Sequence, residues 1–269
     1  MRISITHTSR YAYSEPAHYS IQALRMTPPS FSGQMVRSWT ISAPGIESAI
    51  RFRDSFGNEA HLLTHTAKHS ETVVVARGVV ETEDRAGIVC GLPETAPLPV
   101  YRRQTVLTAP GEALQAFAAK VASVGEVESC HRLMSLVREA IAYEVGATSE
   151  NTPAEAALIS GKGVCQDHAH VFISAARRLG APARYVSGYL FTNSDASTFA
   201  HHAWAEIWID DLGWAGFDPT NGVCPTERYV RLTTGLDAVS AAPIRGIRRG
   251  SGNETLDVAV EVQQQSSQQ

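Results

Sequence analysis

The stretch GVCQDHAHVFISAARRLGAP, residues 163–182, decides how this chain is read. Cys165, Ala169, Phe172, Ala176 and Leu179 recur at alternating steps of four and three, which draws one apolar stripe along a helix. Gly180 supplies a C-terminal cap, and Pro182 prevents continuation. The helix therefore starts at or just before Cys165. A helix N-terminus leaves backbone N–H groups unpaired and carries the positive end of the macrodipole. Both favour a thiolate. Cys165 is a nucleophile, a metal ligand or a small buried side chain, and the flanking sequence has to choose among these.

Downstream lie three strand candidates, ARYVSGYLF (183–191), HHAWAEIWI (201–209) and WAGFDPT (214–220). Asp210-Asp211-Leu212-Gly213 joins the last two as a hairpin. A final strand, LDVAVEV (256–262), precedes a Gln/Ser tail expected to be disordered. Upstream, residues 110–123 and 127–143 carry apolar positions at helical spacing. Thr152-Pro153-Ala154-Glu155 opens another helix with a capping box, ending near Gly161. The N-terminal part differs. Segments near 2–13, 19–27, 36–42, 48–53, 60–66 and 71–82 are rich in Val, Ile, Thr and aromatics and are broken by turn signals such as Pro28-Pro29 and Pro44-Gly45. Many short strands without a helix indicate a β-sandwich. A Gly/Pro-rich connector runs from Gly87 to about Pro99. The expected architecture is α+β, with an N-terminal β-sandwich domain over residues 1–100 and helices packed on an antiparallel sheet over 101–265.

Composition narrows the function classes. The 269 residues suit one large domain or two smaller ones, and 43% hydrophobic with 19% charged residues describes an ordinary globular chain. A net charge of −4 implies no basic face, so nucleic acid is not expected as a partner. No apolar run reaches the ~18 residues of a spanning helix, and the N-terminus has no apolar leader, so no membrane partner and a cytoplasmic location are expected. The four cysteines, Cys90, Cys130, Cys165 and Cys224, form no CxxC pair and no disulfide framework.

A thiolate needs a proton-handling partner to expel a leaving group. His202, which opens a strand, is the best candidate, with adjacent His201 as its rival. Asp218, in FDPT, would orient the imidazole and stabilise its charged form. Asp218 is otherwise an ordinary turn residue before proline. Register raises a difficulty. If Asp211-Leu212-Gly213 is the loop, residue 210 pairs with 214 and 206 with 218. His202 then lies roughly 13 Å along the strand from Asp218. The site would need a bulge, an asymmetric loop or a bend, or Glu206 would take the third role. Zinc held by Cys165, His168 or His170 and His202 is conceivable, but no paired-ligand spacing supports it. No metal or cofactor is expected. Gln166, Tyr143 and Trp204 are weaker candidates for the oxyanion site or the substrate cleft, as are Thr220 and Asn221.

GVCQDHAHVFISAARRLGAPARYVSGYL, HAWAEIW and GWAGFDPTNG, in that order, resemble the transglutaminase-like core of bacterial proteins. YAYSEP and SFGNEA resemble the β-rich domain that precedes this core in many bacterial members. YVRLTTGLDAVSAAPIRGIRRG continues the likeness, so nearly the whole chain is covered. The resemblance implies a papain-like arrangement of Cys, His and Asp, with Cys165 as nucleophile, His202 as general base and acid, and Asp218 as orienting acid. It also implies a peptide or protein substrate and chemistry through a thioester. That chemistry is amide hydrolysis on the present reading, with protein crosslinking or deamidation as the alternative. A catalytically silent binding protein on the same fold is the reading from another class.

Overall fold

Burial alternates residue by residue along the first strand, with Ile3, Ile5, His7, Ser9, Tyr11 and Tyr13 inward and the residues between them outward. That period of two is what a half-buried strand requires. The computed structural model describes residues 1–93, 95–192 and 201–265. The last four residues of the Gln/Ser tail lie outside the described residues.

Six strands form from the N-terminal part: β1 (Arg2–Ala17), β2 (Tyr19–Leu24), β3 (Gln34–Ser42), β4 (Ile50–Arg53), β5 (Glu59–His65) and β6 (His69–Thr82). They divide between two four-stranded antiparallel sheets, each completed by a strand from the far end of the chain. Leu24 and Leu63 of one sheet meet Val74 and Ala76 of the other, with Trp39 and Ile41 packed alongside. This is the expected sandwich.

The core opens with β7 (Ile88–Val89), inside what reads as a connector, and continues with four helices: α1 (Glu112–Ala118), α2 (Val127–Ala140), α3 (Ala154–Ser160) and α4 (Cys165–Arg178). Two short strands, β8 (Ala142–Tyr143) and β9 (Lys162–Gly163), pair in parallel. The core sheet comprises β10 (Ala183–Leu190), β11 (His201–Ile209), β12 (Gly213–Phe217) and β13 (Tyr229–Gly235), in the order β13-β10-β11-β12-β7. Ala203, Ala205 and Ile207 of β11 share one hydrophobic cluster with Phe172 and Ile173 of α4 and Leu133 of α2. From Asp167 to Arg177, α4 is buried on all sides, not along one stripe. The sheet covers one side and the other three helices cover the rest. Among the described residues, no helix is long and apolar enough to cross a membrane.

Three expectations change. First, the chain does not stay in the core to residue 265. β14 (Ile244–Arg249) pairs with β2, and β15 (Glu254–Gln264) pairs with β1 from Ile3↔Gln264 to Tyr13↔Glu254. Without them β1 and β2 would present rows of unpaired N–H and C=O groups at open edges. Second, Glu155 does not close a capping box on its own helix. Its carboxylate accepts the N–H groups of Gly111 (3.0 Å), Ala113 (2.8 Å) and Leu114 (2.9 Å), so it caps α1 instead. Third, the hairpin turns one residue earlier in β11. Ile209 pairs with Gly213 and Ala205 with Phe217. Asp211 (φ 63°) and Gly213 (φ 88°) adopt the left-handed conformation that this turn needs.

The two parts are joined along β13, an edge of the core sheet. Gln34 accepts the Arg231 N–H (2.8 Å) and donates to the Arg231 carbonyl (2.9 Å). Asn58 does the same at Thr234, at 2.9 and 2.8 Å. Two side-chain amides from the sandwich thus continue the hydrogen bonding that an extra strand would provide.

Candidate active site

The tip of α4 is built by the residues around Cys165. Asp167, buried in the first turn, accepts the Val164 N–H (2.8 Å) and the Thr148 hydroxyl (2.6 Å). A Cβ on Gly163 would lie 2.7 Å from the Asp167 Cβ, so glycine there lets the carboxylate fold back. The two histidines that follow are committed elsewhere. His168 sets one ring nitrogen against the Val164 carbonyl (2.9 Å) and the other against that of Ile141 (3.0 Å), tying α4 to the end of α2. His170 accepts the Ala238 N–H at 3.0 Å, and burial depresses its pKa to about 4. Among the described residues, no three His, Cys, Asp or Glu side chains are arranged to hold a metal ion.

His202, the second residue of β11, stands beside the Cys165 side chain. Its Nε2 lies 2.7 Å from Asp218 Oδ2, and both residues are buried. The register difficulty dissolves with the observed hairpin. One step beyond Ala205↔Phe217, Asp218 comes opposite Trp204, two residues from His202. On one sheet face such diagonal neighbours are roughly 7–8 Å apart, within side-chain reach. Glu206 is occupied elsewhere. It takes Arg184 Nε at 2.5 Å and Arg231 Nε at 2.8 Å, and lies at the centre of a buried ion cluster. Burial opposes its charge, but the two guanidiniums outweigh that and hold its pKa near 2. His201 is directed to the Ser187 hydroxyl (2.9 Å) and the His7 ring (5.9 Å between centroids).

Electrostatics bind the three residues together. Burial disfavours a charged His202. Hydrogen bonds to Asp218 and Cys165, and the negative charge on each, overcome this and push its pKa up to about 10. Burial likewise opposes ionisation of Asp218, yet donors from His202, Asn221 and Tyr229 hold it below the usual carboxylate range. The arrangement therefore favours an imidazolium beside the sulfur.

The weaker candidates are distributed around this line. Tyr143 is carried to the site by the β8–β9 bridge and stands 51% exposed. Burial and then the charge of Cys165 raise its hydroxyl pKa. Gln166 donates its amide to the Glu150 carbonyl (3.0 Å). With Ser187, His201 and His7 it lines a cleft of about 570 Å³ among the described residues. Trp204 lies nearly parallel to the His202 ring (6.4 Å, 27°). Gly188 makes room for it, because a Cβ there would come within 2.6 Å of the Trp204 ring and 2.3 Å of the Val230 carbonyl. The Thr220 N–H donates to Asp218 Oδ1 (2.9 Å), and the Asn221 amide to Oδ2 (2.7 Å). Tyr229, which the sequence reading did not single out, donates its hydroxyl to the same Oδ2 at 2.8 Å. Its segment, YVRLTTG, has the β-branched content of a strand, and that was the available signal.

Two family models match the chain. The transglutaminase-like superfamily covers residues 115–219, and the bacterial transglutaminase-like N-terminal region covers 3–81. An uncharacterized protein of Mycobacterium leprae is 32% identical over 279 residues, spanning 97% of this chain and 98% of the relative. A protein-glutamine gamma-glutamyltransferase of Pseudomonas aeruginosa is 33% identical over 86 residues, 29% of this chain and 12% of that protein. In structure, a Cytophaga hutchinsonii protein described as a candidate cysteine protease superposes with a TM-score of 0.76 at 22% identity, covering 98% of this chain and 90% of the other. That likeness bears on the fold.

Proposed function

The chain belongs to the transglutaminase-like superfamily, and on that premise we propose that it is a thiol-dependent acyl-transfer enzyme acting on amide bonds of peptides or proteins. The observation that supports this reading is the placement of His202 beside Cys165 and 2.7 Å from the Asp218 carboxylate, with the sulfur on a helix tip.

The Cys165 thiolate attacks the amide carbonyl carbon. The oxygen that becomes negative meets the N–H of Cys165 at the tip of α4, ahead of the Asp167 and His168 N–H groups that already bond the Val164 carbonyl. The His202 imidazolium gives its proton to the departing amine, and a thioester remains on Cys165. An incoming nucleophile then loses its proton to His202, attacks the thioester and releases the sulfur. Asp218 keeps the imidazole oriented and stabilises its charged form in both halves. We read water as the acceptor, because Cys165 is part-exposed and Tyr143 beside it is half-exposed, so the thioester is open to solvent. Attack by an amine is the second reading, favoured by the 86-residue similarity to the glutamyltransferase.

Incubation with a glutamine-containing peptide library, with and without a primary amine, separates these outcomes by product mass. Shortened peptides are the expected result and indicate hydrolysis of the main chain. Amine adducts indicate crosslinking chemistry, and a gain of about one dalton indicates deamidation. Cys165→Ala abolishes all three. If no product forms and Cys165 alkylates no faster than in His202→Asn, the chain is a binding protein on this fold.

A further inference from the structure

We propose that Tyr229, assisted by Asn221, is a positioning residue that acts on the chemistry through Asp218. The inference rests on the thiol-enzyme reading above. Three donors converge on one oxygen, Asp218 Oδ2: His202 Nε2 at 2.7 Å, Asn221 Nδ2 at 2.7 Å and the Tyr229 hydroxyl at 2.8 Å. The other oxygen takes the backbone N–H groups of Thr220 (2.9 Å) and Asn221 (3.3 Å). A carboxylate held by a histidine alone turns easily, because the terminal torsion of aspartate has broad wells. Here both oxygens are pinned, so Oδ2 stays directed at the imidazole. Burial and the Asp218 charge both raise the Tyr229 pKa, so its hydroxyl remains a donor across the working range.

The same side chain reaches the imidazole by a second route. The Tyr229 ring meets Trp204 edge to face (5.5 Å, 85°), and Trp204 lies over His202. Tyr229 opens β13 and pairs with Leu190 of β10, so the rigid core sheet fixes its place. Its hydroxyl sets the acid, and its ring supports the aromatic face that covers the base. Tyr229→Phe removes the first contact and keeps the second.

The test is the rate of iodoacetamide alkylation at pH 6–8, read by mass mapping at Cys165, which needs no substrate. Tyr229→Phe is expected to slow it about 3–10-fold, part of what a hydrogen bond to a charged group supplies. In an Asp218→Ala background the same change is expected to cost less than about 1.5-fold, because the group it acts through is gone. Asn221→Ala should repeat the pattern. If Asp218→Ala loses its cooperative melt, Asp218→Asn keeps the volume and weakens the acceptor, and the Tyr229→Phe effect should then fall below about 2-fold. An equal loss in both backgrounds, or none in the parent, overturns the inference. His202→Asn in the same assay keeps the two ideas apart. If it leaves the rate unchanged, the thiol–imidazole reading fails whatever Tyr229 does. If it slows the reaction while Tyr229→Phe does not, only the positioning role fails.

Discussion

At the residue scale, Cys165 and Asp218 matter through what they do to His202. The imidazole is buried, which alone would keep it neutral, and two negative partners reverse that. Its folded pKa of about 10 stands above the unfolded 6.5. A raised folded pKa means that the charged ring stabilises the fold fully below about pH 6.5 and that this contribution is lost as pH rises through about 10. Urea denaturation of the parent chain should therefore show stability declining between those limits. The decline should exceed that of His202→Asn by more than about 1 kcal/mol. Parallel pH curves for the two proteins would refute the assignment of charge to His202. At this scale much was legible. Cys165, His202 and Asp218 were named from the sequence and lie together. The roles of His168 and His170 were not legible, because their partners are backbone carbonyls and N–H groups of remote segments.

At the element scale, most strands and helices formed where period and turn residues placed them, since those signals are local. In one departure a distant segment intervenes. Thr152-Pro153-Ala154-Glu155 has the spacing of a capping box, but α1 offers Glu155 three unpaired N–H groups and takes its carboxylate. Glu155→Ala should destabilise the chain by about 1–2 kcal/mol, as loss of a good N-terminal cap does. Chemical denaturation measures this, and an unchanged midpoint would show that the cap is dispensable. The hairpin is a departure of another kind. The expected and observed registers set Asp218 opposite Glu206 and opposite Trp204, two residues apart, so the same β12 side chains face the core in both and the alternation of apolar residues does not choose between them. The turn does, with Asp211 and Gly213 in the left-handed conformation, and it places Asp218 diagonal to His202.

At the scale of the whole molecule, the sandwich and core are interlocked in sequence and in space. The chain leaves the sandwich after β6, builds the core, and returns to supply an edge strand to each sheet it left. Where the parts meet, Gln34 and Asn58 continue the ladder of β13 with their amides. This gives SFGNEA a physical meaning that its resemblance to a family did not. Asn58 is there to satisfy Thr234, 176 residues away. Asn58→Ala leaves a buried N–H and a buried carbonyl without partners and should cost about 2–4 kcal/mol of global stability. A denaturation midpoint within error of the parent would rule out this docking role.

The sequence by itself determined the class of fold and the helix that carries Cys165, through helix and strand periods and the chemistry of a helix terminus. It offered His202 and Asp218 as candidates, but the family resemblance and not the spacing carried Asp218, whose expected register set it opposite Glu206. Only the tertiary structure decided the strand register, the return of β14 and β15 to the sandwich, the capping of α1 by Glu155 and the donation from Tyr229 to Asp218. The last three depend on which remote group satisfies a buried polar atom or an open edge. That choice is made when the whole chain buries its surface, and no local spacing records it.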